Sequence, residues 1–119
     1  MEIPLQITFH EIDSSAAIEG VVHERTQKLG HFYDRIQNCR VVIEAPNRHS
    51  HKERKVFQVR IDVTVPGQEL VVSNEPGEHQ AHHDIHVAIR DAFSAMERQV
   101  KSYAQKRQRG TPKEQELPA

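Results

Sequence analysis

The sequence predicts an α+β fold, a β-α-β-β-β-α sandwich with a four-stranded sheet and both helices packed on one face. Three observations carry this reading. Apolar and polar residues alternate with period two in the strand segments, the pattern of half-buried strands. Two longer segments repeat their apolar residues at helical spacing. Three of the strand segments follow one another with no helical segment between them. The 119 residues hold no internal repeat, so residues 1–109 are expected to form a single domain.

In the first strand, Ile3, Leu5, Ile7 and Phe9 share one face and Gln6, Thr8 and His10 the other. Ser14 and Ser15 offer an N-cap to a helix that Glu19 favours in its first turn. That helix carries Ile18, Val21, Val22, Leu29 and Phe32 inward, and Gly30 is placed to end it, since Gly costs about 1 kcal/mol relative to Ala inside a helix. Cys39, Val41, Ile43 and Ala45 alternate with Arg40, Val42 and Glu44. Phe57, Val59, Ile61, Val63 and Val65 alternate with Gln58, Arg60, Asp62 and Thr64. Pro66-Gly67 marks a tight turn, Pro presetting its first central position and Gly tolerating a positive φ at the second. Leu70 to Ser73 returns as the fourth strand. The second helix spans Asp84 to Arg109, with Ile85, Ile89, Ala92, Met96, Val100 and Tyr103 as its apolar stripe. Residues 110–119 contain two Pro and few apolar side chains and are expected to form a mobile tail.

The composition narrows the function. Hydrophobic residues make up 36% and charged residues 28% of the chain, a balance that suits a small domain with one wet sheet face. The first residues lack a charged segment followed by an apolar run, and no apolar stretch approaches bilayer length, so a cytoplasmic protein without membrane contact is expected. The single Cys39 cannot form an internal disulfide and reads as a small buried apolar residue. No phosphate-cradling Gly-rich loop, nucleophile elbow or HExxH pair is present, so catalysis is not expected.

Charge is the strongest functional signal. The formal net charge is only -1, yet Arg98 to Arg109 holds five basic residues and no acidic one. Arg90, Arg98, Lys101 and Arg109 project from the side of the second helix opposite its apolar stripe, while Arg107 lies closer to that stripe. Positive charge concentrated in this way makes a polyanion the first partner to consider.

Lys28-Leu29 with Phe32-Tyr33-Asp34-Arg35-Ile36, then Val41-Val42-Ile43-Glu44, then Asp84, Ala88-Ile89 and Arg98-Gln99 complete the pattern. In this order and spacing the chain resembles the ribosome hibernation-promoting factor family, whose short members are also known as ribosome-associated inhibitors or sigma-54 modulation proteins. The resemblance implies binding to the small ribosomal subunit and its rRNA in the channel used by messenger and transfer RNA, silencing translation in resting or stressed cells. It also implies a short form without the ribosome-pairing second domain of longer members. Family members tend to carry more Lys along the outer side of the second helix, where this chain has Ala95 and Glu97. Each phosphate contact adds about 0.7–0.9 to the salt slope of binding, so fewer Lys imply weaker attachment.

For RNA the candidate residues are Arg25, Lys28, Arg35 and Arg40, together with Arg90, Arg98, Lys101, Lys106, Arg107 and Arg109. Arg grips phosphate bidentately, and folded RNA presents phosphates and 2′-hydroxyls, so recognition led by shape is expected. A general double-stranded RNA binder is the competing reading within the same chemistry, since helix, three antiparallel strands and helix also describe that module.

The nine His supply a third reading. His49 and His51 precede the third strand, and His79, His82, His83 and His86 precede the second helix. If strands two to four form a meander, both groups lie at one edge of the sheet. There they are candidate ligands for zinc or another divalent transition metal, with His82 and His86 at the i, i+4 spacing of a helical pair and Asp84 as an oxygen donor or orienting group. No other cofactor is expected. Imidazole ordinarily titrates near pH 6.5, so His in these loops are also expected to add positive potential, and RNA affinity, as pH falls from 7.5 to 6.

Overall fold

A computed structural model describes residues 2–45, 57–74 and 84–110. The elements run β1 (Leu5–His10), α1 (Ala16–Leu29), β2 (Asn38–Glu44), β3 (Gln58–Val65), β4 (Gln68–Asn74) and α2 (Ile85–Gly110). The predicted α+β architecture is the one observed. The sheet order is β1-β2-β3-β4. β1 lies parallel to β2, as a strand-helix-strand crossover requires, and the two hairpins β2-β3 and β3-β4 are antiparallel. Strands two to four therefore form the meander on which the His reading depended. Of the expected tail 110–119, Gly110 is instead the last residue of α2, and residues 111–119 lie outside the described residues.

Register decides which face each side chain takes. Ile7 pairs with Val41, Val41 with Ile61, and Ile61 with Val72, so one row of apolar residues crosses all four strands. This face meets Val22 and Leu29 of α1 and Ala88, Ile89, Ala92, Phe93, Met96 and Val100 of α2 in one buried cluster. Both helices thus cover the same side of the sheet. The opposite side carries Gln6, Arg40, Asp62 and Val71 in the next row and stays wet.

Local chemistry sets the element ends. Ser15 caps α1 with an extended backbone, its hydroxyl accepting from the Ile18 N–H at 3.3 Å. The helix stops at Gly30, as expected, but in a right-handed conformation with φ -64. Gly is there for space, because a Cβ would sit 3.2 Å from the Gln27 carbonyl oxygen. His31 N–H then donates to Lys28 O and Phe32 N–H to Leu29 O, both at 3.0 Å, so the chain winds on in tighter turns. Phe32, expected inside the helix and inward, is instead half-buried beyond its end.

Strand β1 begins two residues later than the alternation suggested, since Pro4 has no N–H to give a ladder. Ile3 is held by the Gln27 side chain, whose Oε1 accepts from its N–H at 2.8 Å and whose Nε2 donates to its carbonyl at 3.0 Å. Pro66-Gly67 closes a two-residue hairpin, with Val65 and Gln68 paired and Gly67 at φ 86. On the far edge, Gln99 Nε2 donates to Val71 O at 2.9 Å and ties α2 to β4.

Cys39 is fully buried, with Thr26 Oγ1 3.8 Å from its sulfur. Burial pushes its thiol up to about 11, the Thr26 contact opposing and the Asp62 carboxylate adding. A raised thiol pKa favours the folded state up to about pH 9, and that contribution is lost as pH rises from there through 11. The folded protein should accordingly resist an aromatic disulfide reagent at pH 8 and react with one equivalent once unfolded in guanidinium; rapid reaction of the native protein would contradict the burial.

Candidate nucleic-acid interface

Two contacts lock the C-terminal half of α2 to the segment that follows α1. Lys101 Nζ stands 4.7 Å above the Phe32 ring. Tyr33 meets Tyr103 edge-on, with centroids 5.1 Å apart at 90°. Tyr103 donates its hydroxyl to Pro66 O at 2.6 Å. Burial raises the Tyr103 phenol above its ordinary value and Tyr33 adds to this, while the Arg107 and Arg35 charges pull it down. Arg107 lies over the outer side of this cluster, its Cζ 5.6 Å from the Tyr103 ring, as expected of a residue close to the apolar stripe. The aromatic joint therefore draws Arg35, Lys101 and Arg107 to one end of the helix layer.

The last turns of α1 lead into the same joint and carry Arg25 and Lys28, with Lys28 exposed. Lys106 and Arg107 line a depression beside the Pro66-Gly67 turn. Arg98 is exposed one turn before Lys101. Arg25, Lys28, Arg35, Arg98, Lys101 and Lys106 form no ion pair among the described residues. Arg109 falls in the final turn of α2. Arg35, Lys101, Lys106 and Arg107 thus gather around the joint, while Arg25 and Lys28 of α1 line a depression with His86 from the start of α2, so the cations run along the helix layer.

Two members of the expected set are elsewhere. Arg40 points from the wet face of the sheet, opposite the helices, where Arg40 Nη2 and Arg60 Nε approach Asp62 at 3.6 and 3.1 Å. Its alternation with buried Cys39 and Val41 forces that side. Arg90 sits near the start of α2 and bonds Asp91 Oδ1 at 3.1 Å, eight residues or about 12 Å of helix before Arg98. Ala95 and Glu97 are both half-buried, so these positions form the shoulders of α2 rather than its outermost ridge. Phe32 and Tyr33 also belong to this surface, which charge patterning alone does not reveal. The available signal was two adjacent aromatics just past a helix-ending Gly.

Of the candidate metal ligands, His49, His51, His79, His82 and His83 lie outside the described residues. His86 is exposed, its backbone N–H bonded to Asp84 Oδ1 at 2.8 Å. It shares a depression with Arg25, Lys28 and His31 of the α1 end. Among the described residues no group of three or more His, Cys, Asp or Glu is placed to hold a metal.

Fold and surface together define a β-α-β-β-β-α domain whose helix layer presents a cationic, aromatic-lined flank. The family model for sigma 54 modulation protein / S30EA ribosomal protein matches residues 5–108, and the chain belongs to this family, the one its motifs resemble. The fold is similar to the crystal structure of the N-terminal domain of Thermus thermophilus protein Y, with a TM-score of 0.66 and 22% identity over 87% of this chain and 99% of that one. It is also similar to a ribosomal subunit interface protein from Coxiella burnetii, with a TM-score of 0.60 and 18% identity over 85% and 97% of the two chains. No curated protein matches the sequence. Among the described residues, no helix is long and apolar enough to cross a membrane.

Proposed function

We propose that the protein binds the small ribosomal subunit in the channel used by messenger and transfer RNA and blocks translation by occupying it. The observation that carries this reading is the sorting of its cations. Arg40, Arg60 and Arg90 are matched by Asp62 and Asp91, whereas Arg25, Lys28, Arg35, Arg98, Lys101 and Lys106 of the helix layer have no carboxylate partner among the described residues. Such a flank attracts phosphate, and the rigid two-layer body behind it fills space. No bond is made or broken. Family membership supports a ribosomal partner, as does the subunit interface named for the Coxiella protein.

The test is cosedimentation with small subunits across a salt series. Four to six phosphate contacts give a slope of log K against log salt of about -3 to -5. Subunits loaded beforehand with messenger and transfer RNA should retain little of the protein. Binding that is insensitive to salt, or equal capture by loaded and empty subunits, would defeat the proposal. Equal competition by plain duplex RNA would favour the general double-stranded RNA reading.

A further inference from the structure

We infer that Tyr33, with Arg35 and Arg107, forms a seat for one unpaired nucleobase of the bound RNA. This rests on the ribosomal reading above and adds a stacking contact to its phosphate contacts. The seat is a depression of about 490 Å³ that Tyr33 and Arg35 line from the segment after α1, and Ala104 and Arg107 from α2. Tyr33 and Arg35 also line a second depression on the Pro66 side, so both groups are reachable from two directions.

The two rings after Gly30 differ in what they can still do. Phe32 already has Lys101 above its ring at 4.7 Å. Tyr33 is half-buried, braced by Tyr103 at 90°, so its position is fixed by packing while part of it stays open to solvent. A fixed, partly open aromatic ring in a depression also lined by two Arg is the chemistry of single-stranded nucleic-acid binding: the base stacks on the ring and the flanking phosphates go to Arg. Asp34 lies on the rim of the same depression. Its carboxylate repels phosphate and accepts hydrogen bonds from an amino or imino edge, which turns the base, rather than the backbone, inward.

The test compares two single-stranded oligoribonucleotides of equal length and phosphate number, one carrying bases and one with abasic sites throughout, at a single low salt concentration. The intact protein should bind the base-bearing strand about tenfold more tightly. Tyr33→Leu should remove that preference, lowering the affinity for the base-bearing strand about tenfold more than that for the abasic one. Because the chain has no Trp, Tyr33→Trp supplies a single reporter whose emission should be quenched by the base-bearing strand alone. Equal affinity of the intact protein for both strands overturns the nucleobase seat and leaves phosphate-led ribosome binding standing. Failure to bind either strand likewise overturns the seat, while salt-dependent cosedimentation with small subunits decides the ribosomal reading separately.

Discussion

Replacing Arg98 and Lys101 together by Glu should lower affinity for the small subunit at least a hundredfold at physiological salt, with the fold intact. The double substitution turns two cations into two anions. Two phosphate contacts are lost, which removes about 1.4–1.8 from the salt slope, and two carboxylates are set against the polyanion. At about 1 kcal/mol for each attraction removed and each repulsion added, the sum passes the roughly 2.7 kcal/mol that a hundredfold change requires. The structural cost is small, since both side chains are exposed. Lys101→Glu gives up its place over Phe32, about 0.5–1 kcal/mol, and sets a second carboxylate one turn from Glu97, a few tenths more. Thermal unfolding within a few degrees of the parent protein would confirm that the fold survives. Arg40→Glu is the matched control, because Arg40 lies on the far face beside Asp62, and it should bind nearly as the parent does. Unchanged cosedimentation of the double variant, still folded, would show that the α2 flank is not the gripping surface.

Much of the fold was legible because periodicity is a direct consequence of burial. In β2 and β3 the alternation was complete, and Cys39, Val41, Ile43, Val59, Ile61, Val63 and Val65 are all buried as read. β1 was harder. Leu5, Ile7 and Phe9 face the helices but remain half-buried, because an edge strand is covered on one flank only and alternation does not report how completely a face is closed. Composition could not reveal the partners of individual charges. Arg40 and Arg98 look alike in a sequence, yet among the described residues one meets a carboxylate contributed by another strand and the other meets none. Nor could helical spacing alone show that the Phe32–Tyr33 pair joins the basic flank, since that depends on where the chain leaves α1 and on the packing of Tyr33 against a residue 70 positions later.

The same limit hid the anchor of α2. A stripe drawn through Ile85, Ile89, Ala92, Met96, Val100 and Tyr103 is one residue wide, but a helix lying across β3 and β4 buries a broader arc that also takes in Ala88 and Phe93. Phe93 is fully buried and among the largest such side chains. Phe93→Ala should therefore destabilise the protein by about 3–5 kcal/mol through lost transfer energy and the cavity left behind, against a total of about 5–15 kcal/mol for a domain of this kind. At roughly 3–5 °C per kcal/mol the midpoint falls by about 9–25 °C, and urea unfolding monitored by circular dichroism gives the free energy directly. Phe93→Leu, which keeps most of the volume, should lose less than half as much. A loss below 1 kcal/mol for the Ala variant would mean that α2 does not seat on the sheet through this residue. Well below its midpoint Phe93→Ala should still bind ribosomes, because no cation has moved. The two substitutions thus have opposite signatures, one removing stability at nearly constant affinity and the other affinity at nearly constant stability. That separation follows only if the sheet-facing arc of α2 holds the domain together and its solvent-facing cations hold the RNA.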